Sequence, residues 1–228
     1  MTAAILLPFA SLGASIVLID ETFSTNTVSN WTVASASTLT DAGSVQHISA
    51  GSQFDYGPHD GVMRWRPNHL GTASDQATLI YQISGVTENA SGFTFSTTGI
   101  HAQNNNVAIR LAIQFVDNSV TQWAVSNQSI RTSTGTSAPV PGSWALSSLT
   151  FSSLNIGNLN AGPGSALDTA TVLENVTGIG VYSRFVNQQW QADRATQIDS
   201  FTVIPEPRTY AAIFGLMALG LILYRRRR

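Results

Sequence analysis

The chain of 228 residues carries few charges and no cysteine. Charged residues make up 11% of it, against roughly 25% in a typical soluble domain. Without cysteine it can form no disulfide, thiolate metal site or cysteine nucleophile. Fifty residues are Ser or Thr and none is Lys, a composition that favours an exported β-protein. Residues 16–204 hold twelve acids against six arginines, which argues against nucleic-acid binding because phosphate contacts need clustered cations.

The first residues form an apolar segment rich in small side chains. Gly13 and Ser15 stand at a small-x-small spacing, which predicts a secretory signal peptide over residues 1–15 with cleavage before Ile16. The segment has no Lys or Arg, so we expect either that the true start lies further upstream or that the amino terminus supplies the only positive charge. The alternative is a buried first strand, but residues 16–23 already have a strand pattern of their own, which leaves the preceding run detachable.

The body of the chain, residues 16–203, has the pattern of an all-β domain. Short apolar or alternating runs are separated by clusters of Gly, Asn, Ser and Thr, which favours a single sandwich or barrel. The best hairpin has Asp117-Asn118-Ser119 at its turn. We expect a surface loop at 132–141 and short helical turns within 157–174. The predicted strands are 16–23, 76–83 in part, 93–96, 107–116, 120–125, 179–182 and 198–203.

Residues 55–69 combine aromatic and hydrogen-bonding side chains. Aromatic faces beside polar groups suit sugars, which present apolar C–H patches ringed by hydroxyls. Tyr56 and Trp65 are therefore candidate glycan contacts. In a strand, Arg64 and Arg66 would share one face and Trp65 would take the other, so burial of Trp65 in the core is the alternative. The same core interpretation applies to the other tryptophans, Trp31, Trp123, Trp144 and Trp190.

The C-terminal segment joins a proline motif, an apolar stretch and a basic end. The prolines keep the motif extended and unable to continue a helix. The apolar stretch, residues 210–224, has 15 residues and would span about 22 Å as a helix, short against a hydrocarbon core of about 30 Å. We predict a short transmembrane helix, with the basic end in the cytoplasm. A buried core helix is the alternative, which four consecutive arginines disfavour. The motif is Pro205, Glu206 and Pro207, and the basic end is Arg225, Arg226, Arg227 and Arg228.

This order of motif, helix and basic end resembles the PEP-CTERM sorting domain, over residues 204–228. The resemblance implies recognition by an exosortase, a membrane-embedded transpeptidase-like enzyme, in a Gram-negative bacterium with exopolysaccharide production. It implies tethering in the inner membrane, followed by delivery to the cell envelope or extracellular matrix. Ile204 and Arg208 stand where such tails often carry Val and Ser, a variation the motif tolerates. The chain then divides into signal peptide 1–15, ectodomain 16–203 and sorting signal 204–228.

The two ends of the body carry a second resemblance. Residues 18–23 with Trp31, and residues 197–203, resemble the terminal strands of jelly-roll carbohydrate-binding modules. The resemblance implies a jelly-roll-like β-sandwich with neighbouring terminal strands, and an acid near each end that holds a structural calcium ion. Glu21 and Asp199 are the candidates, since calcium takes several oxygen ligands. The alternative is that both are ordinary solvent-facing acids. We expect no other cofactor.

Catalytic motifs are missing from the sequence, which has no GxSxG elbow and no HExxH spacing. We therefore expect a protein that is not an enzyme. Two functional classes stay open. The main interpretation is an exported surface or matrix protein, processed by an exosortase and structural or exopolysaccharide-associated. The alternative is a non-catalytic carbohydrate-binding module at the cell surface.

Overall fold

A computed structural model describes residues 19–23, 31–35, 45–49, 61–65, 76–102, 107–134, 140–185, 196–205 and 224. These residues form mainly β-strands, with α-helix α1 (Thr169–Glu174) and 3-10 helices at Leu146–Ser148 and Ile156–Ala161. The all-β expectation is thereby confirmed. The strands are β1 Ile19–Glu21, β2 Thr32–Ser35, β3 Val45–Ser49, β4 Gly61–Trp65, β5 Gln76–Glu88, β6 Phe93–Thr97, β7 Ile100–Ala102, β8 Val107–Asp117, β9 Val120–Ser126, β10 Ser133–Thr134, β11 Gly142–Ala145, β12 Phe151–Leu154, β13 Pro163–Leu167, β14 Val176–Phe185, β15 Thr196–Ile198 and β16 Phe201–Pro205.

The strands form one large sheet and two smaller ones. The large sheet has seven strands in the order β13-β12-β9-β8-β14-β5-β2, all paired antiparallel. The smaller sheets have the orders β1-β16-β6-β11 and β10-β7-β15-β4-β3. One cluster of buried side chains joins the large sheet to both smaller ones, for example Ile80, Leu111 and Val181 with Phe95, Phe201 and Ile198. The layers therefore pack as a sandwich around a shared core.

The two smaller sheets are halves of one interrupted ladder. Strand β16 pairs with β6, and β15 pairs with β7, in a single register that neither gains nor loses a residue between them. At the interruption, the Ser200 hydroxyl accepts hydrogen bonds from the backbone N–H of Thr98 at 2.8 Å and from its hydroxyl at 2.9 Å. The Asp199 N–H donates to the Gly99 carbonyl at 3.0 Å. A side chain thus replaces a backbone acceptor where the ladder bends.

The predicted hairpin at 107–125 is confirmed. Strands β8 and β9 pair from Asp117↔Val120 to Ala112↔Val125. Asn118 and Ser119 have φ of 48° and 65°, so both turn residues are left-handed, as a two-residue hairpin of type I′ requires. Asn tolerates this conformation better than most residues, so the turn chemistry in the sequence matches the backbone.

The terminal strands of the body are neighbours, as the second resemblance implies. Strand β1 pairs antiparallel with β16, with Ile19 opposite Val203 and Glu21 opposite Phe201. Since the pair is antiparallel, the start of β1 and the end of β16 lie at the same end of the sheet. The sequence pattern predicted one strand at 198–203, whereas the structure has two, because the chain bends at Asp199 and Ser200.

Several predicted segments lie outside the described residues. These are the signal peptide 1–15, Glu206 and Pro207, the helix 210–224 apart from Tyr224, and Arg225 to Arg228. Within the described residues, no helix combines the length and apolar character needed to cross a bilayer. Pro205 is the last residue of β16, opposite Phe93.

We expect Ser200→Ala to lower the free energy of unfolding by about 1–2 kcal/mol, because Thr98 loses its hydrogen-bond acceptor in a part-buried position. Urea denaturation followed by tryptophan fluorescence measures the effect. Ser143→Ala, at an exposed serine of β11, is the matched control and should leave the midpoint unchanged. Equal midpoints for the two variants would show that the bend does not depend on this hydroxyl.

Candidate functional site

One face of the seven-stranded sheet points away from the two smaller sheets. Gly180 on β14 pairs with Tyr81 on β5 and with Ala112 on β8. Gln114 pairs with Trp123 on β9. Directly paired residues share a face, so these side chains project together, and we call this face the outer face. Its buried apolar side chains, together with Leu159 of the 3-10 helix Ile156–Ala161, form a cluster separate from the sandwich core, namely Ala77, Leu79, Ala112, Trp123, Val125, Leu154, Leu159 and Tyr182.

Two aromatic rings meet on the outer face although two strands separate their backbones. The ring centroids of Tyr81 and Trp123 lie 4.8 Å apart at an interplanar angle of 67°. Neighbouring strands are spaced by about 4.8 Å, so the rings meet only by lying over β14 and β8. In the row of Tyr81 these strands present Gly180 and Ala112, and in the row of Trp123 they present Gln114 and Gly178. The small residues in the row of Tyr81 therefore make room for the aromatic pair.

Gly180 is required by the close approach of the β5 backbone to β14. A Cβ atom at this position would clash with the Ile80 carbonyl oxygen and lie 2.6 Å from Tyr81 Cβ. Real Cβ atoms do not approach backbone atoms this closely. Ile80 belongs to β5, which is paired with β14, so its carbonyl group could move away only if the strand pairing changed. A glycine inside a strand often marks such a close approach.

The two rings differ in exposure. Trp123 is 6% exposed, whereas Tyr81 is half-buried. In the edge-to-face geometry observed here, which aromatic pairs favour, Trp123 supports Tyr81 from one side. The part of Tyr81 that stays accessible is thus held by a buried neighbour.

A short irregular segment covers part of the outer face beside the aromatic pair. The Tyr182 hydroxyl donates to the Leu159 carbonyl at 2.8 Å, and both side chains are buried. Leu159 belongs to the 3-10 helix Ile156–Ala161. The Asn155 side chain accepts the Gly157 N–H at 2.9 Å, and Gly162, with φ of 78°, ends the segment. We call this segment, Ile156–Ala161, the wall. It covers Tyr182, whereas Tyr81 stays partly accessible.

Polar and apolar groups accompany the rings. The Thr177 hydroxyl donates to Gln114 Oε1 at 3.1 Å, and Gln114 is half-buried. Arg110, opposite Tyr182, also projects from the outer face. Ile83 in the same face is 57% exposed. A half-buried ring, an amide, a guanidinium and an exposed apolar side chain thus share one rigid surface.

A cleft over the four-stranded sheet is the other candidate site. Its volume is about 390 Å³, and the described residues that line it offer hydroxyl groups but no aromatic ring on which a sugar could stack. The outer face of the seven-stranded sheet is therefore the better candidate site. The lining residues of the cleft are Ser96, Thr97, Thr98, Pro141, Gly142, Ser143, Ser200 and Thr202.

The candidate glycan contacts from the sequence are not tested by the structure. Trp65 ends β4, opposite Thr196 and Val45, but its side chain and the whole of Tyr56 lie outside the described residues. Trp31 is buried as predicted. Trp123 is also buried, but in the outer-face cluster rather than in the core between the sheets. Tyr81 was not among the residues predicted from the sequence, and its only signal there is Gly180, which approaches it from the neighbouring strand.

The candidate calcium ligands come from the two ends of the body. Glu21 Oε1 accepts a hydrogen bond from Gln82 Nε2 at 3.1 Å, which links β1 to β5. Asp199 lies two residues before Phe201, the residue opposite Glu21. Among the described residues no group of three His, Cys, Asp or Glu side chains comes together. Two carboxylates fall short of the six to eight oxygen ligands that calcium takes, so the calcium site stays a prediction.

No protein-family model matches the chain, and no curated protein matches it. Its fold is similar to three solved structures of carbohydrate-binding modules. CtCBM11, known from a solution structure, shares 15% sequence identity with this chain. The match has a TM-score of 0.47 and covers 85% of this chain and 98% of that chain. The family 11 module of the cellulosomal cellulase Lic26A-Cel5E of Clostridium thermocellum is 12% identical, with a TM-score of 0.45 over 83% and 95%.

The third structure is the family 11 module of Clostridium thermocellum in complex with a β-1,3-1,4-mixed-linked tetrasaccharide. It is 12% identical, with a TM-score of 0.44 over 83% of this chain and 95% of that chain. At such identities and TM-scores, these similarities do not assign a ligand to this chain.

We expect Gly180→Ala to destabilise the protein by about 1–3 kcal/mol, because the added methyl group has no space between Ile80 and Tyr81. Urea denaturation gives the change. Gly157→Ala is the control, since its Cβ would meet only Asn155 Oδ1, at 3.3 Å. A cost for Gly180→Ala no larger than for Gly157→Ala would contradict the packing described for the aromatic pair.

Proposed function

We propose that this chain is a non-catalytic glycan-binding protein of the cell surface that binds its ligand on the outer face. The observation that carries the proposal is the half-buried Tyr81 ring, held against buried Trp123 with the ring centroids 4.8 Å apart. A rigid aromatic ring loses little conformational entropy when it binds, and it offers an apolar plane to the C–H patches of a sugar.

The neighbouring groups supply the polar half of such a site. Gln114 and Thr177 already share a hydrogen bond, so both are oriented before a ligand arrives. Binding sites of this kind combine aromatic side chains with a few placed polar groups. The described strands project no Asp or Glu from the outer face. Glycoside hydrolysis generally needs a pair of carboxyl groups, so this face favours binding rather than turnover.

We expect Tyr81→Ala to weaken binding of soluble polysaccharides roughly tenfold or more, since truncation of a central aromatic contact commonly costs over 1 kcal/mol. Affinity electrophoresis of the full chain in detergent, against a panel of neutral and acidic polysaccharides, gives the retardation. Tyr81→Phe keeps the ring and should retain most of the affinity.

Tyr56→Ala and Trp65→Ala test the other candidate surface in the same gels. Retained binding in these two variants, with loss in Tyr81→Ala, is the expected pattern. The reverse pattern would move the site to residues 55–69, and an absence of binding across the whole panel would refute the proposed function.

A second proposal concerns sorting, and the pairing of β1 with β16 favours it. The start of β1 and the end of β16 lie at one end of the sheet, so the predicted signal peptide and the predicted sorting signal would leave the domain on the same side. Export by the signal peptide and processing by an exosortase would then address one membrane. After processing, the domain would reach the cell envelope or the exopolysaccharide matrix.

We expect Glu206→Ala and Pro207→Ala to block C-terminal processing in the native host, because an extended Pro-Glu-Pro peptide is the predicted recognition element. Mass spectrometry of the mature protein measures the C-terminus. Thr209→Ala, outside the motif, is the control and should be processed normally. A mature wild-type chain that still ends at Arg228 would contradict the sorting proposal.

A further inference from the structure

Arg110 occupies an unusual position on the outer face. Its Nη1 group donates to the carbonyl oxygens of Ser126, at 2.8 Å, and of Asn127. These two bonds use both hydrogens of Nη1. A guanidinium has five N–H donors, and among the described residues nothing accepts from Nη2 or Nε of Arg110. The side chain is half-buried. Its Nη1 group is held by the two carbonyl oxygens, and the N–H groups of Nη2 and Nε remain as hydrogen-bond donors.

The charge around Arg110 is unbalanced. No carboxylate of the described residues forms an ion pair with it, and the described strands project no acid from the outer face. The body as a whole has twelve acids against six arginines. Among the described residues, Arg110 therefore places a positive charge without an ion-pair partner on the outer face of an acidic domain, a distribution that attracts anions to this surface.

The distance from Arg110 to Tyr81 suits one extended ligand. The two residues lie two strands apart, on β8 and β5, and one side-chain row apart along the strands. With strand spacings of about 4.8 Å and a row spacing of about 6.6 Å, their Cα atoms are about 12 Å apart. An extended glycan that stacks on Tyr81 and passes over the Tyr182–Leu159 contact can thus bring a substituent to Arg110.

We infer that the ligand of the outer face is an anionic glycan, whose carboxylate or sulfate group accepts hydrogen bonds from Nη2 and Nε of Arg110. This inference rests on the proposed glycan-binding function and names the class of glycan. Guanidinium groups bind such oxyanions through two parallel N–H···O bonds. The two carbonyl contacts on Nη1 hold the fork in place, which reduces the entropy lost on binding.

Two ligand pairs test the inference with the unmodified full chain in detergent. Polygalacturonate is compared with its carboxyl-reduced form, and dextran sulfate with dextran, by isothermal titration calorimetry. We expect at least one anionic polymer to bind tenfold or more tightly than its uncharged counterpart in low salt. The preference should shrink in 1 M salt, where the Debye length is about 3 Å. The pair that shows the preference identifies the anionic group.

Variants then locate the preference. Arg110→Gln should weaken binding of the preferred anionic polymer about tenfold and change binding of its uncharged counterpart less than twofold. Arg110→Lys keeps the charge without the fork and should fall between the two. Arg131→Gln removes the same charge from the segment after β9, where Arg131 Nη1 donates to the Val107 carbonyl, and should leave the preference intact.

The outcomes separate the inference from the proposed function. Equal or tighter binding of the uncharged polymers overturns the inference and leaves glycan binding in place. A preference that is equally weakened by Arg131→Gln overturns the assignment to Arg110. Binding to no polymer overturns both. The comparison of ligand pairs needs no variant, so the inference stays testable even if Arg110→Gln fails to fold.

Discussion

The missing side chain of Gly180 is the constraint on which the outer face depends. Tyr81 and Trp123 stand on strands that are not neighbours, and their rings meet at 4.8 Å across β14 and β8, which present Gly180 and Ala112 in the row of Tyr81. The Ile80 carbonyl and the Tyr81 Cβ occupy the volume that any larger residue would need. The aromatic pair therefore depends on four strands, because β5 and β9 carry the rings and β14 and β8 lie between them.

The sandwich supports this face from below and from the side. On the other side of the same strands, Ile80, Leu111 and Val181 pack into the core shared with the smaller sheets, so the strands under the aromatic pair cannot shift independently. The Tyr182–Leu159 hydrogen bond attaches the wall to β14. The first and last described strands, β1 and β16, pair with each other in one of the smaller sheets. The surface that we propose binds glycan is thus separate from the strands that lead to the predicted sorting segments.

Local sequence patterns predicted the parts of the fold that depend on local chemistry. The hairpin at Asn118 and Ser119 follows from turn residues that tolerate left-handed backbone, and the all-β class follows from short apolar runs between polar clusters. The bend at Ser200 could not be predicted, because its acceptor role depends on Thr98, a residue distant in sequence.

The candidate site was predicted less well for the same reason. Burial of Trp123 follows from its hydrophobicity, but its place on the outer face depends on which strands become its neighbours. Tyr81 acquires its role from Gly180, and this relation exists only after β5 and β14 have paired. Glycan contacts were predicted within residues 55–69 because aromatic and polar side chains are close together in that part of the sequence. The outer face instead assembles such side chains from separate strands.

Chemical-shift mapping by NMR tests the central claim most directly. The full chain, labelled with ¹⁵N and kept in detergent, is titrated with oligosaccharides of the polymer that it binds. The account predicts that the amide signals of Tyr81, Gln114 and Gly180 shift together and saturate at one ligand concentration. Shifts confined to Ser96, Ser143 and Thr202, or to the strand that ends at Trp65, would place binding elsewhere and contradict the account.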